Sequence, residues 1–77
     1  MELNEFIANF AEQLDETDPS TLNSETVFKD LEDWNSMVAL SVIAMIDADY
    51  DVAVNGNTIQ NVNTIGELFE AVKQIKG

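Results

Sequence analysis

The sequence predicts an all-α fold, a helical bundle with three long helices and one short third helix, and three observations carry that prediction. Apolar residues recur at three- and four-residue spacing in three separate segments. Asp18-Pro19 and Asn55-Gly56 punctuate the chain between those segments. Thr64-Ile65-Gly66-Glu67 fits a capping box, in which the threonine hydroxyl and the glutamate carboxylate satisfy each other's orphaned amides at the start of a helix.

The first helix is expected from about Glu2 to Asp15, because Leu3, Phe6, Ile7, Phe10 and Leu14 share a stripe while Glu5, Glu12 and Asp15 fill the other faces. Asp18-Pro19 stops it. The polar stretch from Ser20 to Glu25 then reads as a long ordered loop, anchored by Val27, Phe28 and Leu31. The second helix is expected from Ser36 to Asp49 or Tyr50. At 100° per residue, Ala39, Val42, Ile43, Ile46 and Tyr50 form its core stripe, with Val38 and Met45 as a second apolar flank. Such a helix is central and contacted from two sides, and only Met37, Ser41, Ala44 and Ala48 are left to look outward. Asn55-Gly56 marks a turn, and Thr58 to Val62 holds one short helical turn with Ile59 and Val62 inward. In the last helix Ile65, Leu68, Phe69, Val72 and Ile75 repeat, Lys73 and Lys76 complement the dipole, and Gly77 terminates the chain.

The chain has 77 residues, 45% of them hydrophobic, which is the composition of one folded domain spanning 1–77 and not of an acidic tail. A core of this size supplies only about 3–5 kcal/mol and leaves little room for a deep substrate pocket. There is no cysteine, so neither a disulfide framework nor a thiolate metal site staples the fold. The longest apolar stretch, Met37 to Ile46, is too short to span a bilayer, and no basic-then-apolar leader opens the sequence. The expected location is cytoplasmic and the expected state a monomer. Met1 and a capped last helix favour a chain that stands alone over a piece of a larger one.

The net charge is −12, which repels nucleic acid and anionic lipid and favours partners with basic surfaces. Ten acids and Lys29 fall in residues 1–33, no charge falls in 34–46, and five acids and two lysines fall in 47–77. A neutral apolar block therefore sits between acidic flanks.

Catalysis is not expected. The chain has no histidine or cysteine, and the acidic pairs Glu32/Asp33 and Glu67/Glu70 lie on expected surface, where nothing tunes them. Asp47-Ala48-Asp49-Tyr50-Asp51 starts like a calcium loop, but its sixth position is Val52 in place of glycine and its twelfth is Thr58 in place of glutamate. Acids closing a helix explain that run better, and no metal is expected. The most informative residue is Ser36, at the boundary between the acidic loop and the apolar helix. On position alone, Ser36 or Asn35 caps the second helix, a role both residue types favour.

Phe28, Asp30-Leu31, Trp34-Asn35-Ser36-Met37, the apolar series Leu40, Val42, Ile43 and Ile46, and Tyr50-Asp51 together resemble the acyl carrier protein family. That family opens its second helix with an Asp-Ser-Leu triplet, whose serine matches Ser36. Val54, Ile59, Val62 and Thr64-Ile65 also fall where the family places apolar residues and the start of its last helix, so the resemblance covers nearly the whole chain.

The resemblance implies that Ser36 receives a 4′-phosphopantetheine arm from coenzyme A through a separate phosphopantetheinyl transferase, and that acyl groups are then carried on it as thioesters. It implies an acyl-carrier-like four-helix bundle acting as a substrate of acyl-loading and acyl-processing enzymes in fatty-acid or related lipid biosynthesis. A modifying arm explains how a chain without cysteine serves thioester chemistry, and an attached phosphodiester gains from the amides opening the helix. The triplet departs from the family at Asn35 and Met37. Where many fatty-acid carriers place acids along the second helix, this chain has Val38, Ser41, Ala44 and Ala48. The expected partner contacts are accordingly Asp30, Glu32 and Asp33 from the loop, Asn35, Met37, Val38 and Ser41 around the serine, and Asp47. Trp34 is expected to pack the loop onto the second helix, and Phe6, Phe10, Phe28 and Phe69 to form core and not an acyl-chain box. Two rivals stand beside this reading: a carrier of polyketide or aminoacyl intermediates, and an unmodified acidic interaction module that binds a protein through Met37 and Val38.

Overall fold

The computed structural model describes residues 2–77, so Met1 and the expectation attached to it lie outside the described residues. Four α-helices follow in order: α1 (Leu3–Ala11), α2 (Ser36–Tyr50), α3 (Gly56–Gln60) and α4 (Ile65–Lys76). The described residues form no strand, only an isolated antiparallel bridge between Val27 and Thr64. The all-α bundle with a short third helix is the architecture the apolar spacing predicts.

The amphipathic stripe of α1 buries Phe6 and Phe10 completely. The helix ends at Ala11, four residues short of the expected Asp15. Beyond Ala11 the chain tightens into turns in which the Gln13 and Leu14 amides donate to Phe10 and Ala11. This still buries Leu14, so its place in the helical series is kept without a helix. Glu12, Asp15 and Glu16 would also load the negative end of a longer helix with negative charge. Pro19 therefore stops nothing. It opens a 3-10 turn, Pro19–Thr21, in which the Asp18 carboxylate accepts the Ser20 amide, and a second 3-10 turn follows at Phe28–Asp30.

The boundaries of α2 match the expectation. Val42 and Ile46 are fully buried, with Met45 and Tyr50 close behind, and α2 packs against α1 on one side and α3 on the other. Tyr50 joins three helices: its hydroxyl accepts from Asn9 of α1 at 2.9 Å, and its carbonyl accepts from the Lys76 ammonium of α4 at 2.8 Å. Burial raises its phenol above the ordinary value. Asp51 ends the helix in the left-handed conformation, φ 57° and ψ 42°.

α3 begins two residues earlier than expected. Asn55 and Gly56 do not make a free turn, because the Asn55 side chain accepts the Thr58 amide and caps the helix. Ile59 is buried as foreseen, whereas Val62 lies just past the helix and is half-buried. α4 carries the expected capping box with both halves formed. Its apolar stripe is buried from Ile65 to Val72, but Ile75 is 52% exposed. Lys73 pairs with Glu70 at 3.8 Å.

Four phenylalanines make the core, as expected. Phe6 meets Tyr50 at 5.6 Å and Phe69 at 5.5 Å between ring centroids, and Phe10 meets Phe28 edge-on at 5.6 Å. Contacts of this kind add about 0.5–1.5 kcal/mol each beyond the area they bury.

Candidate functional site

The candidate site is the start of α2. The loop that delivers it is held by two devices, one aromatic and one carboxylate. Trp34 stacks on Phe10 at 6.2 Å with planes 4° apart and meets Phe28 edge-on at 4.8 Å. It thus packs the loop onto α1 and the second 3-10 turn, and it lines a cleft together with Ala39 and Ile43 of α2. Asp33 supplies the second device. Its Oδ2 accepts from the Glu16 amide at 3.0 Å, the Thr17 amide at 2.7 Å and the Thr17 hydroxyl at 2.7 Å. These donors, the Thr17 hydroxyl foremost, hold its carboxyl below the usual carboxylate range.

With the loop fixed, Asn35 takes an extended conformation and caps α2, its Oδ1 accepting the Val38 amide at 2.9 Å. Ser36 is therefore not the cap. It is the first helical residue, it is exposed, and among the described residues its hydroxyl has no hydrogen-bond partner. The Ser36 and Met37 amides are likewise without protein acceptors there, since the hydrogen bonds of this turn begin at Val38 and Ala39. A free hydroxyl beside two free amides, at the positive end of a helix of 15 residues, suits a covalently attached phosphate.

The other expected contact residues surround Ser36 unevenly. Asp30, Glu32, Ser41 and Asp47 are exposed, Val38 is half-buried, and Asp33 is half-buried and engaged internally. Met37 is 77% exposed, and so is Leu40 to 67%. Leu40 counts in the sequence as one of the apolar series of α2. The signal that separates it is angular: at 100° per residue it lies about 100° from the centre of the core stripe, on the side of Met37, Ala44 and Ser41. The outward face of α2 is thus apolar at its first turn, small in the middle and acidic only at Asp47 and Asp49.

Ser36 also borders a cleft of about 420 Å³ between α2 and α3, lined by Lys29, Trp34, Asn35, Ala39, Ile43, Gly56, Ile59 and Gln60. Lys29 and the α3 residues were not foreseen as part of the site. Nothing in a sequence of this kind marks Lys29, because its contact, the Gln60 carbonyl, is main chain. A larger groove of about 640 Å³ runs between Leu3, Val62 and the outer side of α4. Its hydroxyls are those of Ser24 and Thr64; Thr64 and Glu67 are engaged with each other in the capping box, and Ser24 opens no helix, so size does not make it the functional site.

A family model described as phosphopantetheine attachment site matches residues 4–72. Comparison with curated proteins and with solved structures gives no match. Among the described residues, no helix is long and apolar enough to cross a membrane.

Proposed function

The chain belongs to the phosphopantetheine attachment family, the carrier domains to which 4′-phosphopantetheine is covalently joined, and from that premise we propose that Ser36 is the residue that takes the arm. One observation carries the assignment: Asn35 does the capping, which leaves the Ser36 hydroxyl exposed and unpartnered at the head of α2. Within residues 4–72, the matched segment, this serine alone combines a free hydroxyl with the open amides of a long helix.

The chain's own residues account for most of the chemistry it needs. No carboxylate contacts the Ser36 hydroxyl, and the chain contains no histidine, so as Ser36 Oγ bonds to the pantetheine-bearing phosphorus and the pyrophosphate P–O bond of coenzyme A breaks to release adenosine 3′,5′-bisphosphate, the proton leaving Oγ goes to a base on the phosphopantetheinyl transferase. The Ser36 and Met37 amides are available to hold the resulting phosphate. When bound, the arm supplies a terminal thiol on which acyl groups ride as thioesters. Trp34 and Asp33 keep the loop in place, so the transferase meets a pre-arranged helix start and not a flexible segment.

The pathway we favour is fatty-acid or related lipid biosynthesis in the cytoplasm, with the protein a monomeric substrate of acyl-loading and acyl-processing enzymes. Polyketide and aminoacyl carriers share the same chemistry. The partners dock through Met37, Leu40 and Val38, with Asn35 and Ser41 beside them. Asp30, Glu32, Asp33 and Asp47 supply charge at the edges, which steers basic partners and speeds encounter.

The test is to incubate the protein with coenzyme A, magnesium and a broad-specificity transferase and weigh it intact. A gain of one phosphopantetheine that disappears in Ser36→Ala is expected, and no gain with several transferases would sink the assignment. Charge reversal at Asp30, Glu32 and Asp47 should slow the transferase severalfold at low salt. Unchanged kinetics would remove the acids from docking and leave the apolar patch alone.

A further inference from the structure

Lys29 lies on the wall of the cleft that Ser36 borders, and its contacts are unusual for a lysine in a chain of net charge −12. Among the described residues it forms no ion pair, since the one close pair is Lys73 with Glu70. Its ammonium donates instead to the Gln60 carbonyl at the end of α3, at 2.9 Å. It favours the ionised form of Glu67, but Glu67 Oε1 is already taken by the Asn63 and Thr64 amides. The centroid of the Phe28 ring lies 5.9 Å away. An ammonium has three protons, and only one is used by a protein acceptor.

Lys73 and Lys76, the remaining cations, sit in the last turn of α4, occupied with Glu70 and the Tyr50 carbonyl. An anion on Ser36 therefore has one lysine on the lining of the cleft it borders, and that lysine is already tied to α3 through the Gln60 carbonyl.

We propose that Lys29 is a positioning residue for the phosphodiester on Ser36, bridging it to the Gln60 carbonyl and so clipping the root of the arm to α3. This rests on Ser36 being the attachment residue. The physical basis is the difference between acceptors: a phosphate oxygen forms a charge-assisted bond roughly twice as strong as one to a neutral group, and the ammonium has protons to spare for it without giving up Gln60. The clip fixes where the arm starts relative to the cleft between α2 and α3. It also gives the five-residue α3, too short to hold itself as an isolated helix, an extra tie once the carrier is loaded.

The experiment measures amide exchange by NMR at Asn61 and Val62, whose amides donate to Asn57 and Ile59 within α3, before and after attachment. It is run on the unaltered protein, Lys29→Met and Lys29→Arg. In the unaltered protein, attachment should slow exchange about threefold to tenfold, the effect of one partly exposed charge-assisted bond. Lys29→Met should exchange faster than the unaltered protein before attachment and show no slowing after it, while Lys29→Arg should restore the slowing. Intact mass is read on every sample. If the unaltered protein gains no phosphopantetheine with several transferases, the attachment reading falls and the clip with it. A sample that gains it and shows the same slowing in Lys29→Met, or no slowing in the unaltered protein, overturns the clip alone.

Discussion

The starts of α2 and α4 are built from the same kinds of residue and finished in opposite ways. At α4 every early amide has a partner. Thr26 and Ser24 offer their carbonyls to the Ile65 and Gly66 amides at 3.1 and 2.8 Å, the Thr64 hydroxyl accepts from Glu67, and the Glu67 carboxylate accepts from Asn63 and Thr64. At α2 only the Asn35 cap is present, and the Ser36 and Met37 amides face outward beside a free hydroxyl. A helix start that the protein closes on itself is structural. One that it leaves open in an otherwise satisfied fold, with no buried side-chain polar atom lacking a partner among the described residues, is free to receive something.

The closed start should be the more sensitive to added bulk, and this is the largest stability effect expected of the two. A Cβ on Gly66 would lie 2.8 Å from the Ser24 carbonyl oxygen and 3.0 Å from its Cβ, so the loop must move and its hydrogen bond must stretch. Overpacking costs about 1–3 kcal/mol and a weakened hydrogen bond up to about 1 kcal/mol. The helix propensity of alanine returns less than about 1 kcal/mol, since the residue is in the first turn. Gly66→Ala should therefore lose about 1–3 kcal/mol in denaturant unfolding. Added bulk at the open start meets only solvent, and a neutral result at Gly66 would mean that the loop is not docked as described.

Removing the caps sharpens the comparison. Asn35→Ala and Thr64→Ala should each cost about 1 kcal/mol, but with different local consequences. After Thr64→Ala the Ile65 and Gly66 amides keep their loop acceptors, so α4 stays docked. After Asn35→Ala the Val38 amide joins Ser36 and Met37 in having no protein acceptor, so exchange at Val38 should rise far more than exchange at Glu67 does in the other variant. Ser36→Ala, which removes a hydroxyl that bonds nothing, should change stability by less than about 0.5 kcal/mol. Equal fraying at the two helices would erase the distinction between open and closed.

How much of this was legible in the sequence depends on whether a side chain or the main chain does the work. The capping box at Thr64 and Glu67, the extent of α2 and the burial of Phe6, Phe10, Phe28 and Phe69 follow from side-chain type and spacing, and each was readable. The docking of Ser24 and Thr26 was not, because main-chain carbonyls carry no sequence signal. The same holds for Lys29 on Gln60. α1 is shorter than its apolar spacing predicts: Leu14 keeps the helical interval and is buried, though a turn and not a helix puts it there. Asn55-Gly56 was read as a turn because the pair serves turns and helix starts alike, and only the Thr58 amide decides between them. At the candidate site, the family resemblance singles out Ser36, but which of Asn35 and Ser36 does the capping is decided by the extended conformation of Asn35 and its bond to the Val38 amide.

Acid should separate the two helix starts even where their caps cost the same to remove. Half of the capping box of α4 is a carboxylate: Glu67 is held below its ordinary value of 4.5 chiefly by the Asn63 amide, then by that of Thr64. A carboxyl group whose folded value is depressed contributes stability above its unfolded value and loses that contribution as pH falls through the folded one. The loss therefore begins below about pH 4.5 and continues under it. Asp33, lowered from 3.8 by Thr17 and Glu16, behaves in the same sense and releases those amides over a lower range. The cap of α2 is Asn35, which does not titrate. Between about pH 6 and pH 3, exchange corrected for its intrinsic rate should accelerate at Asn63, Thr64, Glu16 and Thr17 while Val38 holds steady. If Val38 opened in step with Asn63, the start of α2 would depend on the loop carboxylates, and its openness would be a property of the Asp33 latch and not of the Asn35 cap.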